Sequence, residues 1–350
     1  MIEKMKSTEI INTDISEIVK DIRKYSKIIQ GKHLLLVGGK GFLGTYFLKT
    51  LVSLNQELEK PLRITVIDNL ITAKDKKITD IENVKFIEAD ISQKLDLEEK
   101  VDFIIHAASI ASPPIYRKYP LKTIDVNYQG TRNILEYAKK YPLEGFLLLS
   151  SSEIYGDPTI IPTPEDYWGH VSSTGPRACY DESKRLAETV SMTYFNLFKT
   201  PVKIARPFNV YGPYLNLDDG RVIPNFMKDA IENSKIIIYS DGTPTRSFCY
   251  ITDAIKAFLS ILFESPSGEI FNVGNDEEIS ILELANKIKD TIGTEIHIKL
   301  EKNNDLNYTK DNPTRRCPDL SKIKNEIDYE PKIGLDEGLK RIYTWYLGEK

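Results

Sequence analysis

Leu34-Leu35-Leu36-Val37-Gly38-Gly39-Lys40-Gly41-Phe42-Leu43-Gly44 is the stretch that decides how this chain folds. An apolar run of strand length breaks into glycines at GxxGxxG spacing, and a helix-like stretch, Gly44–Leu54, follows. The first glycine makes the tight strand-to-helix turn. The second lets a pyrophosphate approach the backbone. The third lets helix and strand pack closely, with the helix N-terminus facing the phosphates. Gly38, Gly41 and Gly44, with Phe42 and Leu43 between them, are therefore read as a dinucleotide cradle. The spacing departs from GxGxxG. The plain alternative is a glycine turn with no ligand.

Outward from this stretch the pattern alternates. Strand-like runs fall at His33–Val37, Arg63–Ile67, Val84–Ile87, Phe103–His106, Phe146–Ser150 and Val202–Ala205, with helix-like stretches such as Leu121–Lys140 between them. This predicts an α/β fold: a Rossmann-type doubly wound parallel sheet with helices on both faces. After Tyr211, loops rich in Pro, Gly and Asp alternate with short elements, which predicts a smaller C-terminal α/β substrate lobe. The expected division is an N-terminal extension at 1–30, a Rossmann-type dinucleotide-binding domain at 31–210 to which part of 247–273 returns, and a substrate lobe at 211–246 and 274–350. Within the extension, Ile10, Ile11, Ile15, Ile18, Val19 and Ile22 recur at roughly helical spacing. An amphipathic helix packed on the body or on a partner subunit is expected there.

The chain has 350 residues, 28% charged and 41% hydrophobic, with a net charge of -4. Nothing in this balance invites nucleic acid. No apolar run is long enough to span a bilayer, and MIEKMKSTEI carries no apolar signal core. The three cysteines, Cys179, Cys249 and Cys317, are dispersed without CxxC spacing. Reduced thiols in a cytoplasmic protein are expected. No His/Cys/Asp cluster has metal-ligand spacing.

Asp68 ends the second strand-like run, where a carboxylate binds ribose hydroxyls and repels a 2'-phosphate, favouring NAD over NADP. The competing reading of Asp68-Asn69 is turn chemistry. Asp90 ends the third run and is placed either beside the adenine or in a turn. Far downstream stands Tyr180-Asp181-Glu182-Ser183-Lys184. If helical, it puts Tyr180 and Lys184 on one face. A nearby ammonium and an oxidised nicotinamide lower a phenol's pKa, so Tyr180 is expected to fall towards neutrality and to remove a hydroxyl proton as hydride leaves. Ser151, in the run Ser150-Ser151-Ser152, is placed to orient the substrate oxygen. Glu153 follows it as a candidate for a second proton transfer, against a plain surface reading. Arg246 offers a planar fork for phosphate or carboxylate, against a structural ion pair. Asn209 and Arg221 are further polar candidates. His106 is read as core.

These residues resemble the extended short-chain dehydrogenase/reductase superfamily, the nucleotide-sugar epimerases and dehydratases, from about Gly31 to Gly338. The narrower resemblance is to the UDP-glucuronate decarboxylase, or UDP-xylose synthase, family. It is carried by Ala107-Ala108-Ser109-Ile110-Ala111-Ser112-Pro113-Pro114, Ser152-Glu153-Ile154-Tyr155-Gly156-Asp157-Pro158, Gly175-Pro176-Arg177-Ala178-Cys179-Tyr180-Asp181-Glu182, Asp218-Asp219-Gly220-Arg221-Val222 and Arg315-Arg316-Cys317-Pro318-Asp319.

The resemblance implies a catalytic set of Tyr180, Lys184, Ser151, Glu153 and Arg246. The cofactor side extends to Asn69, Asp90, Ile91, Ala107 and Ala108. Ser152, Asn209, Arg221, Val222, Tyr239 and Arg246 fall on the substrate side. Tightly bound, recycled NAD and a homodimer are implied too. The expected reaction is decarboxylation of UDP-glucuronate to UDP-xylose through a 4-keto intermediate. The alternatives are a 4-epimerase or 4,6-dehydratase and, from another class, a non-catalytic NAD-binding protein. Val37 and Lys40 depart from the family's cradle, Lys40 facing either a phosphate or solvent.

Overall fold

The computed structural model describes residues 2–73, 80–293, 295–301 and 312–349, with backbone only for 2–6. The apolar runs pair in parallel into one seven-stranded sheet. Its strands are β1 (His33–Val37), β2 (Arg63–Asp68), β3 (Val84–Glu88), β4 (Phe103–His106), β5 (Gly145–Leu149), β6 (Val202–Pro207) and β7 (Ile270–Val273). They stand in the order β7-β6-β5-β4-β1-β2-β3. This is the expected doubly wound arrangement. β1, β4 and β5 are buried on both faces, so they read as continuous apolar runs rather than alternating ones.

Alternate β1 residues feed two cores. Leu34 and Leu36 join Tyr46, Phe47 and Leu51 of helix α2 (Phe42–Asn55), whereas Leu35 and Val37 join Ile134 and Ala187 on the opposite face. The strand order reverses between β1 and β4, which opens a crevice at their C-terminal ends. Val37 is in register with both Ile67 and His106, so Gly38, Asp68 and Ala107 emerge side by side at that edge.

Two further pieces of chain position the site. The run expected as one helix at Leu121–Lys140 is a helical path broken by a π turn at Val126–Gly130, followed by α3 (Thr131–Ala138). Helix α4 (Ala178–Phe198) lies beside both. Past β6, α5 (Val222–Asn233) begins a lobe of small sheets. Lys235–Ile238 pairs with His297–Leu300, and Thr245–Ser247 lies between Glu278–Ser280 and Arg315–Arg316. Helix α6 (Ile251–Glu264) and β7 return to the main sheet between these lobe segments.

The N-terminal segment is helix α1 (Ile2–Ile22). It lies against α2, α6 and the last helix, α7 (Leu335–Glu349), and buries Ile11, Ile15, Ile18, Val19 and Ile22. Its Asp14 is fully buried. The carboxylate accepts hydrogen bonds from Tyr46 Oη at 2.7 Å, Tyr250 Oη at 2.9 Å and Arg341 Nη1 at 2.8 Å. Such pairing offsets the cost of burying a charge. The described part of the extension, from Ser7 onward, therefore shares the core of the body.

Candidate active site

The cradle is a tight turn with no room for a side chain at Gly38 or Gly44. Gly38 has φ +85, and a Cβ there would lie 2.6 Å from the Ala108 nitrogen. A Cβ on Gly44 would lie 2.0 Å from the Gly38 oxygen. Gly41 precedes the first turn of α2, so Phe42 and Leu43 begin the helix whose free N–H groups suit an anion. Asp68 is held by two backbone donors, Lys40 N at 2.9 Å and Leu70 N at 2.8 Å. The turn reading of Asp68 is thus realised, and it fixes the carboxylate at the mouth of a small cavity of about 50 Å³ lined also by Asn69, Ile91, Ala107 and Ala108. Asp90 instead closes its own turn, accepting from Ser92 N and Ser92 Oγ, and lies outside that lining. Crowded glycines, a free helix N-terminus and a carboxylate at the end of β2 fit a dinucleotide.

A larger cavity of about 1150 Å³ adjoins the cradle. Ser151, Ser152, Glu153, Tyr180, Lys184, Asn209 and Arg221 line it together with Gly38, Gly41, Phe42, Leu43 and Gly44. The crossover topology makes this convergence possible. β5 ends at Leu149, so the serine run leaves the sheet at the crevice, while α4 brings Tyr180 and Lys184 from the side.

The Ser151 side chain is near enough to the Tyr180 hydroxyl to favour its ionisation, and the Tyr180 ring stacks on Tyr116 with centroids 5.3 Å apart. Lys184 Nζ donates to Leu149 O at 2.8 Å and stands 6.0 Å from the Tyr180 ring centre. The expected fall of the Tyr180 pKa is not imposed by the protein alone. Burial pushes it up to about 12, against the nearby Ser151 side chain and the Arg221 charge. Lys184 is committed to a carbonyl and does not sit at the phenol oxygen. Burial pushes Lys184 itself down to about 8, opposed by Glu188.

Glu153 is neither a surface residue nor a free acid. Arg316 grips it with two bonds, at 2.7 and 2.6 Å, and Arg177 Nη2 meets it at 2.5 Å. Burial alone would raise this carboxyl, but the two guanidinium groups outweigh it and hold it well below the usual carboxylate range. At neutral pH it carries no proton to give. Next to it, burial and the Glu153 charge push the Asp181 carboxyl well above its ordinary value. Tyr116 Oη, Arg177 Nε, Asp181 Oδ1 and Arg316 Nε are all buried without a hydrogen-bond partner.

The clamp expected at Arg246 is built differently. Arg246 Nη1 donates to Thr245 O at 2.7 Å, and Nη2 donates to Pro313 O at 2.6 Å and Asn312 Oδ1 at 3.2 Å. Its fork is occupied by its own lobe and does not line the cavity. Burial, then the neighbouring Arg316, push it down to about 9. Arg316 is its register partner on the adjoining strand, and Arg316 does line the cavity.

Sequence reasoning therefore missed Arg316 and Arg177 as individuals, although both stood inside quoted stretches. Val222 and Tyr239 also lie outside the cavity lining. Arg221 is paired with Asp219, and Asn209 Nδ2 donates to Ser247 O at 2.8 Å. Among the described residues no His/Cys/Asp/Glu group is arranged to hold a metal, and no helix is long and apolar enough to cross a membrane.

Comparison with known proteins agrees with this geometry. Residues 34–274 match the model of the NAD dependent epimerase/dehydratase family. UDP-glucuronic acid decarboxylase 1 of Danio rerio is 37% identical over 350 residues, covering 99% of this chain and 79% of that protein. UDP-glucuronic acid decarboxylase 5 of Arabidopsis thaliana is 41% identical over 318 residues, covering 90% of this chain and 89% of the relative. Among solved structures, an epimerase from Methanothermobacter thermautotrophicus superposes with a TM-score of 0.79 at 28% identity, covering 94% of this chain and 95% of that one.

Proposed function

This chain belongs to the NAD dependent epimerase/dehydratase family, and we propose that within it the protein is an NAD-dependent decarboxylase that converts UDP-glucuronate to UDP-xylose. The observation that carries the reading is the arginine-flanked Glu153 beside Tyr180 and Ser151. It sets an excess of positive charge next to an acid–base hydroxyl, which suits a sugar bearing a carboxylate one carbon beyond the ring. The decarboxylase relatives support it.

The sheet body takes the cofactor: Gly38, Gly41 and the start of α2 face the pyrophosphate, Asp68 the adenosine ribose, and Ala107 and Ala108 the floor. Residues 211–246 and 274–350 take the nucleotide sugar. Held by the sheet body, NAD would supply the acceptor for the hydride on sugar carbon 4 and the donor that restores it at the end of the cycle.

Tyr180 takes the proton of the 4-hydroxyl, and Ser151 steadies the oxygen as its charge develops. The positive charge of the oxidised cofactor is what brings a phenol raised to about 12 into range. Once protonated, that high pKa keeps the proton on Tyr180. A ketone at carbon 4 is β to the carboxylate, so carbon dioxide leaves as its electrons enter an enolate. Tyr180 and Ser151 then donate to the enolate oxygen. Arg316 and Arg177 hold the sugar acid in the place first assigned to Arg246. Glu153, locked as an anion, aims both guanidinium groups and does not itself deliver the proton to carbon 5; that proton, the one the overall reaction consumes, comes from a solvent water as the enolate returns to the ketone. Ser152 stands where 4,6-dehydratases carry a second acid, which counts against that alternative.

The partner in this reading is a second copy of the chain. Leu121 is 75% exposed, Leu197 69% and Phe198 51%, the last two on α4. Light scattering on a size-exclusion column checks the homodimer. The three free cysteines support a cytoplasmic site of action. The function is tested by giving the protein UDP-glucuronate with substoichiometric NAD. Carbon dioxide should be released over many turnovers without net NADH, and its absence would overturn the reading.

A further inference from the structure

Three consecutive residues at the end of β5 meet three residues of α4 spaced one turn apart. Leu149 O accepts from Lys184 Nζ, Ser150 Oγ donates to Glu188 Oε1, and Ser151 stands near the Tyr180 hydroxyl. The first and third of these contacts belong to the site described above. The second belongs to a buried network that the mechanism does not use. Arg206 Nε donates to Glu188 Oε1 at 3.0 Å and Nη2 to Oε2 at 2.7 Å. Its remaining nitrogen, Nη1, donates at 2.7 Å both to Tyr155 Oη and to Glu165 O. Ser150, Glu188 and Arg206 are each less than a tenth exposed. Arg206 sits on β6 beside β5, where Ser150 N also bonds Ala205 O at 2.8 Å.

We propose that Glu188 is a positioning residue for hydride transfer: clamped by Arg206, it fixes the Leu149–Ser151 strand end against α4 and supplies the counter-charge of Lys184. A bidentate pair with low exposure has one geometry, so the carboxylate is pre-set rather than recruited. Ser150 carries that geometry to Ser151, its neighbour. Lys184 lies one turn from Glu188, and Glu188 is the anion that opposes the effect of burial on it.

The groups facing this cluster come from every adjoining element. They are His106 from β4, which burial pushes far down and keeps neutral, Arg206 from β6, and Tyr155 and Glu165 from the loop after β5. None of these supplies Lys184 with an alternative anion. The proposal rests on the assignment of Tyr180, Ser151 and Lys184 to hydride transfer. It does not depend on which sugar is oxidised.

The test compares wild type with Glu188→Gln, Glu188→Gln/Arg206→Met and Ser150→Ala. The double variant leaves no charge of the pair unmatched, so it carries the test if Glu188→Gln loses its fold. Both Glu188 variants should lower kcat by about tenfold or more with KM for the nucleotide sugar little changed. Their alkaline limb should move to lower pH by about one unit, because Lys184 then loses its proton earlier. Acetic anhydride labelling of Lys184 in NAD-free protein, followed by peptide mass spectrometry, should shift its midpoint the same way. Ser150→Ala should lower kcat and leave the alkaline limb in place. Folded Glu188 variants with unchanged kcat, pH profile and labelling midpoint would overturn the proposal. Wild type inactive on every nucleotide sugar would instead strike the functional reading on which it rests.

Discussion

Replacing Glu153 by Gln keeps its shape and removes its charge. The two guanidinium groups that grip it, 6% and 13% exposed at their side chains, then lose their counter-ion. Removing one partner of a buried ion pair costs about 3–5 kcal/mol. A chain of 350 residues, at roughly 2.1 cal/mol/K per residue, has a melting entropy of about 0.7 kcal/mol/K, so the midpoint should fall by about 4–7 °C. The effect has a pH signature. The folded carboxyl is held well below its ordinary value, so its contribution is fully present above the unfolded pKa, about 4.3, and is lost as pH falls through the folded value. Calorimetry from pH 4 to 8 should show a constant gap between wild type and variant above about pH 6. The gap should begin to close near pH 4. Turnover should fall with the melting point, because Arg316 and Arg177 are no longer aimed. An unchanged melting point, or a gap that widens on acidification, would refute the clamp.

Other outcomes follow from the same geometry. Tyr180→Phe should bind NAD normally and lose about 100-fold or more in turnover, as expected for an acid–base group; near-normal turnover in a folded variant would remove Tyr180 from the chemistry. Arg316→Ala should damage kcat more than Arg246→Ala, since only Arg316 lines the cavity, and steady-state kinetics on the two variants would expose the reverse order. Titration of both cofactors should favour NAD over NADP because Asp68 faces the 2' position, and Asp68→Ala should narrow that preference. Equal affinities in wild type would leave Asp68 as a turn residue alone.

Much of this was legible in the chain because the signals were local. The glycine cradle, the strand periods and the Tyr180/Lys184 spacing each lie within one element and its flanks. The strand limits moved by two residues at most where they were read. Non-local features were hidden. Glu153 and Arg316 are separated by 163 positions, and only the pairing of Arg315–Arg316 onto Thr245–Ser247 brings them together. That pairing also sets two arginines side by side, Arg246 bonded to its own lobe and Arg316 to Glu153, a difference that the linear sequence does not show. The sequence around Tyr180 predicted an activating ammonium; burial and the bond to the carbonyl of Leu149, neither of them local to that stretch, set where Lys184 Nζ lies. The N-terminal helix had a readable apolar face, but only Asp14, meeting Tyr46, Tyr250 and Arg341 across the chain, shows that it belongs to the body.

The central claim is that a carboxylate is lost, and mass spectrometry of the nucleotide-sugar products tests it most directly. With UDP-glucuronate and catalytic NAD, the account predicts UDP-xylose as the product, one carbon dioxide per turnover and no accumulation of NADH. Formation of UDP-galacturonate with its carboxylate retained, or dehydration of a different nucleotide sugar while UDP-glucuronate is untouched, would contradict it.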